Sequence, residues 1–385
     1  MSSEAETRPD PTSSRAAALA GLATVLLLLA FLAGIRGLGD GFKLLGGDLL
    51  KSFFSATSNP FIALMVGILT TTLVQSSSVT TSMVVGLVAA PESPLPLANA
   101  VPMIMGANIG TTATNTIVSI AHMGRPDGFR RAFSVATCHD FFNFLSVLVL
   151  LPLEIATGFL SKSAASLADQ LPFVGGGDFN SPIAEVLKAL IAPLGWLAES
   201  SFESQQAQGL VLVLCSGAVI FASLMLIVRA LHSALLSRAE RLVQFAVGGT
   251  GVAAILVGCI ATAMVQSSSI TTSLLVPMAA VGVITLRQAF PVTIGANLGT
   301  TITALMASLA VSGPNAQAGI EIALTHLCFN LAATLLVYPW APARGFVLAG
   351  VTRFADLATR SKLLAITYLL VLFYGLPGLA AFLFR

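Results

Sequence analysis

The sequence predicts an all-α polytopic membrane protein made of two inverted repeats, each holding a re-entrant hairpin that contains Gln-Ser-Ser-Ser. Three observations carry that prediction. Of 385 residues, 56% are hydrophobic and 9% charged. An ordinary soluble domain has about 25% charged residues, so this chain cannot cover its surface for water. Apolar runs of about twenty residues recur, the length at which a helix crosses a bilayer. Finally, LVQSSSVTTS at 73–82 returns as MVQSSSITTS at 264–273.

The elements follow in chain order. Residues 1–15 form a polar tail, expected to be disordered. Residues 16–36 read as a first span. A cleaved signal peptide needs a secreted body behind it, and here more membrane follows. A weakly amphipathic stretch occupies 40–58. An apolar segment at 61–90 is broken by QSSS, and spans follow at 97–121 and 130–152, closing a first repeat over 16–152. A polar extracytoplasmic linker is expected at 153–207. The second repeat, 208–340, mirrors the first: a span at 208–230, a charged link, 243–285 broken by QSSS, then 290–311 and 319–340. An amphipathic link and a final span at 362–384 complete the last segment, 341–385.

The duplication is wider than QSSS. Gly106-Ala107-Asn108-Ile109-Gly110-Thr111-Thr112 recurs as Gly295-Ala296-Asn297-Leu298-Gly299-Thr300-Thr301. His139-Asp140-Phe141-Phe142-Asn143 recurs as His326-Leu327-Cys328-Phe329-Asn330. The offsets are 191, 189 and 187 residues, in one order. Basic residues set the orientation. With a cytoplasmic N-terminus and both QSSS segments re-entrant, 13 Lys and Arg fall inside and 6 outside, accounting for all 19. The halves then enter from opposite faces, a common plan of secondary transporters.

A net charge of +2 points to no nucleic-acid partner. Cys138, Cys215, Cys259 and Cys328 sit in apolar segments and bracket no loop, so no structural disulfide is expected. Polar backbone at mid-membrane survives only where it lines a cavity or is buried in protein. A hairpin turning at QSSS aims helix-end N–H groups at its tip. Gln75, Ser76, Ser77 and Ser78 with Gln266, Ser267, Ser268 and Ser269 then surround one point with six hydroxyls and two amides, which suits a tetrahedral oxyanion. No Lys or Arg lies beside these motifs. A buried anion there needs charge compensation, and co-bound cations would supply it.

Asn108, Thr111, Thr112, Asn297, Thr300 and Thr301, with glycine-freed carbonyls, are candidate cation ligands, and Thr271 and Thr272 join them; hard cations take oxygen. Asp140 is the one carboxylate deep in the motif region, and Leu327 stands at its counterpart. It reads as a one-sided third cation site or a proton-linked group. His139 and His326 are as well explained by backbone hydrogen bonds as by substrate contact. Asn143 and Asn330 are weighed between packing and function, and Glu154 and Glu321 lie near span ends. A lone Ser cluster in a span is ordinarily helix glue, but this one is repeated with the whole motif set.

QSSS in both halves, ANIGTTATNTIV at 107–118, FRRAF at 129–133 and CHDFFNFLSVLVLLPLEIATGFL at 138–160 resemble the type II sodium–phosphate cotransporter family. The resemblance covers most of 60–340. It implies sodium-driven import of inorganic phosphate as HPO4 2−, inverted repeats with two QSSS hairpins, and a homodimer in which each protomer transports alone. It associates Ser76–Ser78 and Ser267–Ser269 with phosphate and the neighbouring cation sites. Electrogenic members carry an A-x-A-x-x-x-D pattern whose aspartate supports an additional sodium. Here it reads Ser134-Val135-Ala136-Thr137-Cys138-His139-Asp140, with the aspartate kept and the first alanine replaced. Three co-transported Na+ are therefore expected. The 153–207 segment lacks the cysteines and glycosylation sites of the animal members' large loop, as a compact bacterial-type protein of the inner (plasma) membrane would. Two other classes are weighed: an uncoupled anion channel, and an intramembrane serine hydrolase, which lacks a G-x-S-x-G elbow and leaves the duplication unexplained. No enzyme activity is expected.

Overall fold

Every regular element in the computed structural model is a helix; it describes residues 11–45, 55–90, 94–171, 182–223, 226, 251–309, 311 and 314–383. In chain order the helices are α1 (Pro11–Leu45), α2 (Pro60–Val74), α3 (Ser77–Val88), α4 (Leu97–Thr111), α5 (Ala113–Ile120), α6 (Pro126–Thr157), α7 (Phe159–Ala168), α8 (Pro182–Ser201) and α9 (Gln205–Ser223). The second half continues with α10 (Gly251–Val265), α11 (Ser268–Ala280), α12 (Leu286–Leu309), α13 (Ala316–Val337), α14 (Ala341–Arg360) and α15 (Lys362–Leu383). Among the described residues, α6, α9, α12, α13 and α15 are long and apolar enough to cross a membrane. The chain is an all-α polytopic membrane protein.

The elements differ from the sequence reading in three places. α1 begins at Pro11, inside the tail expected to be disordered, and continues to Leu45 without the break expected near residue 36. The stretch read as a polar linker is helical over α7 and α8, and α7 packs along α13. Gly158, at φ 65°, turns the chain from α6 into α7. Glu154 then accepts from the Leu160 N–H at 2.6 Å and the Ser161 hydroxyl at 2.5 Å, satisfying orphan donors of the new helix. The charged link between α9 and α10 lies outside the described residues.

Two pairs of helices approach unusually closely, and the repeated glycines permit it. α2 lies on α4 and α10 lies on α12. Gly67 faces the Met103 backbone, while Gly106 and Gly110 face the backbone of Leu64 and Ile68. The second half repeats this with Gly258 on Val292, and with Gly295 and Gly299 on Ile255 and Cys259. A side chain at any of these positions would strike main chain. Small residues are how membrane helices gain close van der Waals contact. The glycines of GAN[IL]GTT therefore sit inside helices and serve packing; they do not free carbonyls for a cation, as the sequence reading expected.

Outside the spans, α14 lies along α6. Asp356 on α14 pairs with Arg130, and Arg131 donates to the Ala279 and Ala280 carbonyls at 3.1 and 2.8 Å, capping the C-terminal end of α11. The Arg130 hydrogen bond holds the Asp356 carboxyl below the usual carboxylate range. A depressed folded-state value means the contribution is present above the unfolded-state value, about pH 3.9, and is lost as pH falls through the folded one. Both side chains are exposed, so the pair is worth at most about 1 kcal/mol. Thermal unfolding of Asp356→Asn should differ little from the native protein at pH 7, and the small difference should vanish on acidification below about pH 4.

Candidate functional site

Each QSSS interrupts a helix in the same way. Among the described residues, Gln75 and Gln266 are the only non-glycine residues at positive φ, both at 57°. The left-handed region is costly for a residue with a Cβ and persists where surroundings hold it. Here the amide does so. Gln75 Nε2 donates to the Thr72 carbonyl and its Oε1 accepts from Thr114 Oγ1 at 2.8 Å. Gln266 Nε2 donates to the Ala263 carbonyl at 2.7 Å and its Oε1 accepts from Thr303 Oγ1 at 2.8 Å. One hydrogen bond satisfies the last turn of the incoming arm; the other ties the break to the neighbouring helix. Glycine would relieve the backbone and lose both ties.

The next residue starts the second arm. Ser76 and Ser267, at φ −151° and −152°, cap α3 and α11 by accepting from the Val79 and Ile270 N–H groups at 3.3 and 3.4 Å. Ser78 Oγ donates to the Gln266 carbonyl at 3.3 Å, so the two breaks meet. The two breaks therefore lie side by side, each at a helix N-terminus, and a helix N-terminus favours an anion.

Hydroxyl protons divide the candidates into two kinds. Thr111, Thr112, Thr300 and Thr301 donate to the Ala107, Ile109, Ala296 and Leu298 carbonyls at 2.7–3.1 Å. Thr271 donates to the Ser267 carbonyl at 3.3 Å and Thr272 to Ser268 at 2.8 Å. A hydroxyl so committed shows only lone pairs, which suits a cation. Ser76, Ser77, Ser267, Ser268 and Ser269 donate to no acceptor among the described residues. Their free protons suit an oxyanion.

The GAN asparagines are engaged across the duplication. Asn297 Oδ1 accepts from His139 Nε2 at 2.5 Å, and Asn297 Nδ2 donates to Asn143 Oδ1 at 2.7 Å. Reciprocally, Asn108 Oδ1 accepts from His326 Nε2 at 3.1 Å, and its Nδ2 donates to Asn330 Oδ1 at 3.2 Å. The amide directions place the imidazole proton on Nε2 in both histidines. Each half therefore satisfies the asparagine of the other. The sequence left His139 and His326 open between backbone hydrogen bonds and substrate contact; in the structure each Nε2 bonds an asparagine side chain. Asn297→Ala should lower the unfolding temperature in detergent, because His139 and Asn143 each lose a buried partner. A cycle with His139→Ala should show coupling of about 1 kcal/mol.

A second polar cluster is centred on first-half residues that have no polar counterpart in the second half. Helix α4 breaks at Thr112 before α5, whereas α12 runs on unbroken. α5 carries Asn115, whose Nδ2 reaches Thr272 Oγ1 at 2.9 Å and whose Oδ1 accepts from Ser273 Oγ at 3.0 Å. Thr116 Oγ1 lies 3.5 Å from Asp140 Oδ2, and Tyr368 OH donates to the same oxygen at 2.8 Å. Asp140 is fully buried, and its Oδ1 has no partner among the described residues. At the repeat-related positions stand Ala304, Leu305 and Leu327, and the two leucines join one apolar cluster.

All the sequence-predicted residues are thus described. The QSSS residues converge, the threonines line the adjoining helices, and Asp140 stands in its own cluster. Five contributors were missed, among them Thr116 beside Asp140. Thr114 and Thr303 hold the glutamines and share the 189-residue offset, which could have revealed them. Asn115 and Tyr368 have no repeat partner to flag them. The four cysteines are free.

Comparison with known proteins follows from this geometry. The family model described as Na+/Pi-cotransporter matches residues 30–167 and 219–380. Sodium-dependent phosphate transport protein 2A of Rattus norvegicus is 34% identical over 453 residues, covering 98% of this chain and 71% of the relative. Protein 2B of Homo sapiens is 32% identical over 448 residues, covering 93% and 64%. Protein 2A of Ovis aries is 33% identical, covering 98% and 70%. The chain thus spans about two thirds of the length of these relatives. No solved structure matches it.

Proposed function

Because this chain belongs to the Na+/Pi-cotransporter family, we propose that it is a sodium-coupled symporter importing inorganic phosphate as HPO4 2−, with three Na+ per cycle. It is a transporter and not an enzyme. The observation that carries the substrate assignment is the division of hydroxyls. Free serine protons gather at two helix N-termini, and lone-pair-only threonines lie beside them. That is an anion cradle flanked by oxygen ligands for cations, with no basic side chain in either QSSS arm to neutralise the anion. Sodium supplies the missing charge. Ser76, Ser77, Ser267, Ser268 and Ser269 hydrogen-bond phosphate, with Gln75 and Gln266 holding the breaks and Ser78 joining them. Thr111, Thr112, Thr271, Thr272, Thr300 and Thr301 offer oxygens to sodium. Asn108 and Asn297 act by aligning the two halves, and Asp140 takes the third sodium.

The cycle runs in order. Sodium enters and orders the breaks, phosphate docks on the serines, and the loaded site closes to one side and opens to the other. The Lys and Arg asymmetry of the loops supports a cytoplasmic N-terminus and two inverted halves within the bilayer; an inner (plasma) membrane location and a homodimer of independent protomers belong to the same reading through the family resemblance alone.

Radiolabelled phosphate uptake into proteoliposomes tests this reading. Uptake should require a sodium gradient and rise with an inside-negative potential. Uptake indifferent to the potential would remove the third sodium, and flux without sodium dependence would identify an anion channel. Ser77→Ala and Ser268→Ala should each raise the phosphate concentration for half-maximal uptake about tenfold or more, the loss of a hydrogen bond to a charged ligand, or stop uptake.

A further inference from the structure

We propose that Tyr368 is a positioning residue for Asp140, and that through it the final span sets the charge carried per phosphate. The inference rests on the reading of Asp140 as the third sodium site. α15 lies beyond the duplicated motifs, so the one-sided carboxylate is met by a one-sided helix. Tyr368 OH donates to Oδ2 at 2.8 Å, and Thr116 stands 3.5 Å from that same oxygen. Both anchors fall on Oδ2, and Oδ1 is buried without a partner among the described residues. A carboxylate fixed by one oxygen points the other's lone pairs in a set direction, as a single-cation site requires.

The phenol is itself held. Its ring packs edge-on against Phe354 at 4.8 Å and Phe373 at 5.9 Å. A π turn at Val371–Gly375 follows directly, a feature that recurs at functional sites in helices. Beyond that turn, α15 lies along α2, the first arm of the QSSS hairpin. One helix thus touches both the first break's supporting arm and the Asp140 carboxylate. No salt bridge reaches Asp140 among the described residues, so hydroxyl donors are what orient it.

The test is Tyr368→Phe in proteoliposomes, with charge movement and phosphate uptake recorded on the same sample. Phenylalanine keeps the ring packing and removes only the hydroxyl. Phosphate uptake should persist, the charge per phosphate should fall from one towards zero, and the sodium concentration for half-maximal current should rise about tenfold. Unchanged charge per phosphate and sodium dependence would overturn the proposal, as would loss of uptake and current in equal proportion. Asp140→Asn is measured in parallel. If it keeps full current, the third-site reading fails first and this inference falls with it; if it loses the current while Tyr368→Phe does not, only the positioning role fails. Should the phenylalanine variant fail to fold, infrared difference spectra of the native protein with 13C-tyrosine decide. The chain has three tyrosines. Sodium should move a tyrosine C–O band together with the carboxylate band, and silent tyrosine bands would overturn the role.

Discussion

Asp140→Ala protein in proteoliposomes should carry no phosphate-coupled current while retaining part of its phosphate uptake. The expectation follows from charge. Three Na+ with HPO4 2− move one net positive charge, worth about 2.3 kcal/mol per 100 mV of membrane potential. Two Na+ with HPO4 2− move none. Asp140 is the residue we propose to separate these cases, because it is fully buried, carries an oxygen without a partner among the described residues, and has Leu327 at its repeat-related position. The proposed phosphate cradle at the two serine breaks is built from other side chains. Alanine should therefore uncouple voltage from uptake and leave binding of phosphate in place. The measurement is phosphate uptake against imposed potential: a slope equal to that of the native protein would show that the third charge travels elsewhere.

Gly106→Ala should fail at an earlier stage, in assembly. A Cβ there would overlap the Leu64 carbonyl oxygen and lie 2.9 Å from the Ile68 nitrogen. Overpacking against side chains costs about 1–3 kcal/mol because they can yield; the backbone of a packed helix cannot. α2 and α4 would have to separate, and with them the Gln75–Thr114 tie. Monodisperse yield in detergent should fall several-fold, and Gly295→Ala should behave alike. Gly124→Ala, where a Cβ meets no atom within 4 Å, is the control and should express normally. Equal yields for all three would mean the helices are not held at this separation.

The large features of the fold were legible because they repeat. A motif set returning at offsets of 191, 189 and 187 residues exposes the duplication, the broken helices and the two serine groups without any knowledge of contacts. Asp140 stood out for the opposite reason, as an ionisable residue where its counterpart is leucine. What pairs with what was not legible. Periodicity reports that Asn108 and His326 are in membrane segments, but only three-dimensional packing brings residues 218 apart within 3.1 Å. The glycines of GAN[IL]GTT were misread for a related reason: the same residue type loosens backbone in a turn and permits close contact in a helix, and the sequence alone did not decide which. The 153–207 segment reads as polar linker by composition, yet a local cap by Glu154 and burial against α13 are enough to make α7 helical. Tyr368 gave no signal, having neither a repeat partner nor an unusual setting.

The exchanged histidine–asparagine bonds bear on the origin of the chain and on how it can be cut. Each half holds an amide that its own histidine does not reach. Expressed alone, a half would carry an unmatched imidazole and unmatched amides in hydrocarbon, where no water can substitute. Two copies of one ancestral half, by contrast, could trade these bonds symmetrically, each asparagine meeting the other copy's histidine, as a self-complementary dimer does. The same logic sets an engineering rule: a chain severed between the halves should regain activity only when both pieces are made together.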